Sequence, residues 1–340
     1  MRIENIEIQK ESIALARPFV TALRRVESVE FVRIFISCSD GHIGIGEAPA
    51  TLAITGEDID SITNAIIQLK ESLISLDTQS ALKRVHQSSI GSSAKAALDM
   101  ALLHLKVQQL GVSFREYFNL KDFTPLITDI TISLGDEQKM LEDAQRATQN
   151  SMDILKVKLG SDISHAIRVT QLLASKLPNA TLLIDANQAW SKEDSLRYIE
   201  GVLDLEIELI EQPVAANEIA ALHAITNASK IPILADEAIF TLEDAQKIIQ
   251  TQSADMINIK LMKCGGLSKA VEILEYAREQ GVVCMLGSML EGPYSINAAL
   301  YLAFAYRDVI KYVDLDSPLL YQKPSDSLDF LYEGATISLK

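Results

Sequence analysis

Residues 181–190 read TLLIDANQAW: a short run of strand formers, then a carboxylate, an amide and the start of a helical segment. The same order recurs on both sides. ILKVKL spans 154–159, IELIEQP 207–213, IPILADE 231–237 and MINIK 256–260, each followed by an amphipathic stretch long enough for a helix. Working outward adds Leu126 to Leu134 before this block, and Val282 to Leu286 and Ile310 to Val313 after it. Eight short apolar strands alternating with helices predict a parallel sheet, and closing that sheet into a barrel removes the edges an open one would have to protect. The eighth strand runs straight into the C-terminal tail, leaving no full eighth helix, so the expected fold is α/β, a (β/α)7β barrel.

Before Asp122 the rhythm differs. IENIEIQ and the Val29 to Ser37 run are strand-like, Gly41, Gly44 and Gly46 punctuate a hairpin, and from Asp58 to about Leu110 apolar residues recur at helical spacing until Gly111 stops them. The expected domains are an α+β capping domain over 1–122, the barrel over 123–316 and a tail over 317–340, with Phe330 to Leu339 returning to the capping domain as a strand that completes it.

The 340 residues carry a formal net charge of −15, with no basic block beyond pairs such as Arg24-Arg25. That balance disfavours nucleic acid and anionic membrane as partners. No apolar run reaches the roughly 20 residues of a membrane span, and the N-terminus lacks the apolar core of a signal peptide. Cys38, Cys264 and Cys284 have no metal-ligand spacing. A cytoplasmic enzyme that forms a homo-oligomer is expected.

In such a barrel the active site forms at the C-terminal ends of the strands, and polar residues gather there. Strand two ends in Lys156 and Lys158, strand three in Asp185 and Asn187, strand four in Glu211, strand five in Asp236 and Glu237, strand six in Lys260, and strand eight in Asp314 and Asp316. Singly, each also suits a solvated strand face or a helix cap. Three carboxylates from neighbouring strands, Asp185, Glu211 and Asp236, would repel one another without a cation. Oxygen-only ligands suit Mg²⁺, with Mn²⁺ as a substitute, better than zinc; Asn187 and Glu237 stand behind these ligands. Lys158 and Lys260 face a substrate from opposite sides, and Lys156 shares a face with Lys158. The two like charges are expected to lower the pKa of the pair and make Lys158 a base near neutral pH. This arrangement serves proton removal α to a carboxylate, the metal stabilising the enediolate, and a base on each face gives inversion. The histidines fall away from the strand ends, and Cys264 and Trp190 are assigned to packing.

KVK at 156–158, DANQAW at 185–190, EQP at 211–213, ADE at 235–237 and KLMKCGG at 260–266 together resemble the enolase superfamily, and within it the muconate-lactonizing-enzyme subgroup. The resemblance spans nearly the whole chain and implies a TIM-like barrel, Mg²⁺ on Asp185, Glu211 and Asp236, and Lys158 and Lys260 as the acid/base pair. Muconate cycloisomerases, o-succinylbenzoate synthases and N-acylamino-acid racemases share that arrangement. Asp314-Leu-Asp316 is similar to the pair with which dipeptide epimerases hold the substrate ammonium, and two carboxylates two apart on a strand face the same way; a solvated turn before Pro318 is the plainer alternative. ARPFVTALRRVES at 16–28 and GEAPATLAITGE at 46–57 resemble L-Ala-D/L-Glu epimerases, which implies that Arg24 meets a glutamate side chain, although a loop arginine can equally be a surface charge. Thr131, Ser288 and Met289 are added as substrate-binding residues. Pro293 and Tyr294 depart from the Ala-Glu pattern and leave the second residue of the dipeptide open.

Overall fold

The computed structural model describes residues 2–340. Its first three strands, β1 (Ile3–Val20), β2 (Arg25–Cys38) and β3 (Ile43–Pro49), form an antiparallel sheet in that order. β1 and β2 outrun the strand-like sequence because Ile13 to Val20 folds back on Arg25 to Val29, where exposed and half-buried residues give a weak apolar signal. Helices Ile59–Leu73 and Ser92–Leu110 pack on this sheet, and Thr78–Gln87 packs against Ser92–Leu110. The last lies so close to β3 that a Cβ on Gly44 or Gly46 would sit 2.0 Å from the Ala101 carbonyl oxygen or 1.9 Å from that of Ala97. These two glycines therefore permit the helix-to-strand contact, and the turn itself is made at Gly41, whose φ is +85°.

After β4 (Leu126–Ile127) come eight parallel strands that neighbour one another in sequence order: β5 (Ile130–Ile132), β6 (Ile154–Lys158), β7 (Thr181–Asp185), β8 (Leu209–Glu211), β9 (Ile233–Ala235), β10 (Met256–Lys260), β11 (Cys284–Gly287) and β12 (Ile310–Asp314). Helices join them, from Glu137–Gln149 to Pro293–Ala305. Several are started by a side-chain cap: Asp136, Asp162, Ser191 and Thr241 each accept the N–H three residues on. β5 and β12 meet through two hydrogen bonds of 3.0 Å, Asp129 N–H to the Val313 carbonyl and Leu315 N–H to Thr128 Oγ1. No helix among the described residues is long and apolar enough to cross a membrane.

Two expectations change. Leu126 to Leu134 is not one strand, because β4 turns away from the barrel. The tail comes back as a hairpin, β13 (Phe330–Glu333) and β14 (Thr336–Leu339), and pairs with β4 instead of completing the N-terminal sheet. The apolar surface decides this: Phe330 and Ile337 are buried, and Phe330 stacks on Phe304 and meets Tyr301 edge-on. The ties of the tail to the first sheet are a bridge from Tyr321 to Leu15 and the Gln322 N–H to the Ala14 carbonyl. Sheet and barrel are joined by Glu47 of β3, which pairs with Arg33 at 2.7 Å and accepts the N–H groups of Tyr294 and Ser295 at the start of helix Pro293–Ala305.

Side chains alternate along the barrel strands. Leu183, Leu209, Leu234, Met256 and Met285 form a separate apolar cluster inside the barrel. Two residues further along the same strands stand Asp185, Glu211, Asp236, Asn258 and Gly287, so four of the five strands carry a polar group above the apolar plug and the fifth a glycine.

Candidate active site

Register sets the strand ends side by side: Lys158 beside Asp185 and Asp185 beside Glu211 on one side, Lys260 beside Gly287 and Gly287 beside Asp314 on the other. Lys158 and Lys260 rise from β6 and β10, on opposite sides of the ring, and line one pocket with Thr131, Asn187, Asp236, Glu237, Ser288, Met289, Asp314 and Asp316. Phe19, Thr21, Leu23 and Arg24 from the turn between β1 and β2, with Ala53 and Ile54, roof it. Gly287 leaves Lys260 its space, since a Cβ there would lie 2.9 Å from Lys260 Cε.

Lys156 does not line this pocket. It is wholly buried, with Nζ 2.5 Å from Asp314, 2.7 Å from Glu211 and 3.5 Å from Asp185. Burial pushes its pKa down, but Asp314, Glu211 and Asp185 outweigh that and hold it well above the ordinary lysine value. The expected lowering of Lys156 is thus corrected: three carboxylates surround its ammonium, and Lys156 is a fixed counter-ion. Lys158 Nζ is 2.5 Å from Asp185, and Lys260 Nζ 2.7 Å from Asp236. Burial also lowers the Lys260 pKa, yet Asp236 and Glu211 raise it further, so Lys260 rests protonated.

The carboxylates carry more charge than the lysines cancel. Burial, then Asp185, pushes Glu211 up to about 7, and burial, then Asp236, pushes Glu237 up to about 8. Asn187 Oδ1, Glu237 Oε2 and Asn258 Oδ1 are buried acceptors without a donor. A surplus of buried oxygen acceptors is what a hard cation satisfies, and the residues present fit Mg²⁺. Asp185, Glu211 and Asp236 are not gathered on one point, because Lys156, Lys158, Lys260 and Lys263 hold them individually. Among the described residues, the set of three with ligand atoms all within 4.8 Å of one another is Asp129, Asp314 and Asp316.

Asp314 and Asp316 open into the pocket from the end of β12. Asp314 is held by Lys156, and Asp316 accepts the Thr131 N–H at 2.8 Å. Burial, then Asp314, raises Asp316 to about 6. Across the pocket, burial lowers Arg24 to about 10 with no carboxylate opposing the shift. Pro293 and Tyr294 are not among the residues that line the pocket, and the Arg33 guanidinium lies over the Tyr294 ring at 5.2 Å. Trp190 packs against Tyr198, as expected, and donates to the Gly160 carbonyl.

Three polar residues of the site escaped the sequence. Lys263 bonds Asp236 and the Asn258 carbonyl, Asn258 donates to Glu211 at 2.9 Å, and Asp129 lies behind Asp314. Two-residue spacing from Lys260 could have flagged Asn258, and the same spacing from Thr131 could have flagged Asp129.

This geometry defines a barrel enzyme with facing lysines over a carboxylate cage. Residues 139–336 fit the enolase C-terminal domain-like family, and residues 3–117 the N-terminal domain of mandelate racemase / muconate lactonizing enzyme. The chain belongs to this family. It is 56% identical over 338 residues to the L-amino acid-D/L-Glu epimerase of Sulfurimonas denitrificans, covering 99% of each chain. The structure of a substrate-liganded complex of the L-Ala-D/L-Glu epimerase from Bacillus subtilis matches with a TM-score of 0.94 at 37% identity, over 100% of this chain and 97% of that one. The dipeptide epimerase from Cytophaga hutchinsonii, complexed with Mg and the dipeptide D-Ala-L-Val, matches with a TM-score of 0.95 at 30% identity, over 100% and 94%.

Proposed function

We propose that this chain is a Mg²⁺-dependent dipeptide epimerase that inverts the α-carbon of the C-terminal residue, with an acidic second residue such as glutamate preferred. The observation that carries this is the pair Asp314 and Asp316 opening into a pocket whose other sides bear Lys158 and Lys260. Two carboxylates bind an ammonium, and a cycloisomerase or synthase substrate has none to offer. Relatives that are dipeptide epimerases over their whole length support the same choice.

Asp185, Glu211 and Asp236 would hold Mg²⁺, which when bound supplies positive charge for the substrate carboxylate. The ammonium on Asp314 and Asp316 fixes the N-terminal residue and leaves the second α-carbon between the lysines. Lys158 in its free-amine form takes the α-proton from one face, and Lys260, held protonated, gives one to the other; for the opposite epimer the roles exchange. Arg24, whose guanidinium is paired with no carboxylate among the described residues, receives the acidic side chain. In the same reading the enzyme acts in the cytoplasm and as a homo-oligomer.

Dipeptides incubated in deuterated water and read by mass gain test this. L-Ala-L-Glu should exchange and epimerise, and its N-acetyl form should lose most of kcat/KM. Arg24→Ala should cost L-Ala-L-Glu on the order of 10- to 100-fold, the worth of a charge-assisted hydrogen bond, and spare L-Ala-L-Phe. Equal rates for free and acetylated dipeptides would remove the clamp and with it the choice of epimerase.

A further inference from the structure

Asp129 takes no part in the proton transfers just described, yet it sits directly behind the residues that receive the ammonium. The residue is 1% exposed, and neither carboxyl oxygen receives a hydrogen bond from an N–H or O–H of the described residues. Its oxygens and those of Asp314 and Asp316 approach within 4.8 Å of one another. The backbone fixes it there, since Asp129 N–H bonds the Val313 carbonyl and so closes the gap between β5 and β12.

The charges facing Asp129 can be counted element by element. β6 contributes Lys156, which is already 2.5 Å from Asp314 and 2.7 Å from Glu211. The end of β12 contributes Asp314 and Asp316, and Asp316 has the Thr131 N–H as its donor. From the tail, Tyr332 spends its hydroxyl on the Leu315 carbonyl at 2.9 Å. Among the described residues no donor remains for Asp129. A third ionised carboxylate in this enclosure would lack both water and a partner, whereas a carboxylic acid would turn one orphaned acceptor into a donor toward its neighbour.

We propose that Asp129 is a positioning residue that carries a proton and donates it to Asp314. Of the three clustered carboxyls two are then charged: Asp314, matched by Lys156, and Asp316, left to meet the substrate ammonium. Asp129 orients Asp314 and keeps the clamp from over-binding cations in general. Burial, then Asp314 and Asp316, shifts the Asp129 pKa well upward against the pull of Lys156, in the same direction as the geometry. The role rests on the dipeptide-epimerase reading of the site; the protonation does not.

The test compares Asp129→Asn, a neutral isostere that can still donate, with Asp129→Leu, which cannot. For a dipeptide with a free amino group, Asn should hold KM within about threefold, while Leu should raise it on the order of tenfold or more and change kcat far less, because the lysines are untouched. An infrared difference spectrum, wild type minus Asp129→Asn, should show a protonated carboxyl C=O band at neutral pH, and this needs no substrate. Three results would overturn the proposal: Asn as damaging as Leu or unable to fold by circular dichroism, Leu as mild as Asn, or no protonated-carboxyl band. Wild-type enzyme that treats free and N-acetylated dipeptides alike would instead remove the clamp itself, and the infrared band would then still report on Asp129 alone.

Discussion

Lys156→Met tests the claim that the first lysine of the KVK motif is a counter-ion. Methionine keeps the unbranched chain and removes the charge. In the wild type the ammonium holds Asp314, Glu211 and Asp185 at 2.5, 2.7 and 3.5 Å, with no partner more than 8% exposed. Deleting one member of a buried ion pair costs about 3–5 kcal/mol. Three stranded carboxylates do not triple that figure, because they take up protons instead of staying charged. Their folded pKa values then lie above their unfolded values of about 4, so the stability they contribute falls as pH rises from there. Lys156 itself has a raised folded pKa, so its contribution persists below the unfolded lysine value of about 10.4 and is lost only above it. The deficit of the variant should therefore grow from about pH 5 and reach about 3–5 kcal/mol by about pH 8. Urea unfolding of both proteins at the two pH values, with chelator present to remove metal, measures it. An equal deficit at both values, or less than about 1 kcal/mol at the higher one, would refute the counter-ion role.

Other outcomes follow from the same site. Lys158→Ala and Lys260→Ala should each lower epimerisation by at least about 10²-fold, while each still exchanges the α-proton of the one epimer its remaining lysine faces; chiral chromatography with mass detection resolves the two. Chelator should abolish turnover and Mg²⁺ should restore it, and Asp236→Asn should weaken Mg²⁺ binding by isothermal calorimetry with the far-ultraviolet spectrum unchanged. Burial raises Glu291 to about 7, so its ionisation removes stability as pH climbs from the unfolded value of about 4.3. Glu291→Gln should accordingly gain on wild type in melting temperature across that window, and a difference that does not vary with pH would contradict it.

The barrel could be read from the sequence because each strand repeats one order, apolar residues and then a charged or amide group, with a helix between. DANQAW, EQP and ADE kept the chemical residues next to the strands that carry them, so one-dimensional position was nearly three-dimensional position. What stayed hidden depends on long-range partners. Lys263 looks like a solvated residue of a helical turn until Asp236 is placed over it, and nothing local says that Lys156 would be enclosed by acids from three other strands. The tail was misdirected for a similar reason: Phe330 and Ile337 announce a strand, but only the packed Phe304 and Tyr301 say which surface receives it. The merging of β4 with β5 had a local cause, since Leu126 to Ile132 is made of strand formers apart from Asp129 and the change of direction at Thr128 and Asp129 is set by hydrogen bonds to Leu315 and Val313.

The grip of Glu47 on Tyr294 and Ser295 bears on traffic through the enzyme. Glu47 is fully buried and is also paired with Arg33, so separating sheet from barrel would strand a carboxylate and a helix terminus together. A hinged lid swinging at that seam is therefore a poor route for a dipeptide. The tip of the β1–β2 arm, Thr21 to Arg24, which roofs the pocket, is held by the hydrogen bonds of its own turn and, just before it, by Val20 bonding Ser133 and Leu134, while Leu23 is exposed. If Arg24 receives the dipeptide side chain as proposed, a substitution there should change both which side chain is admitted and how fast it leaves.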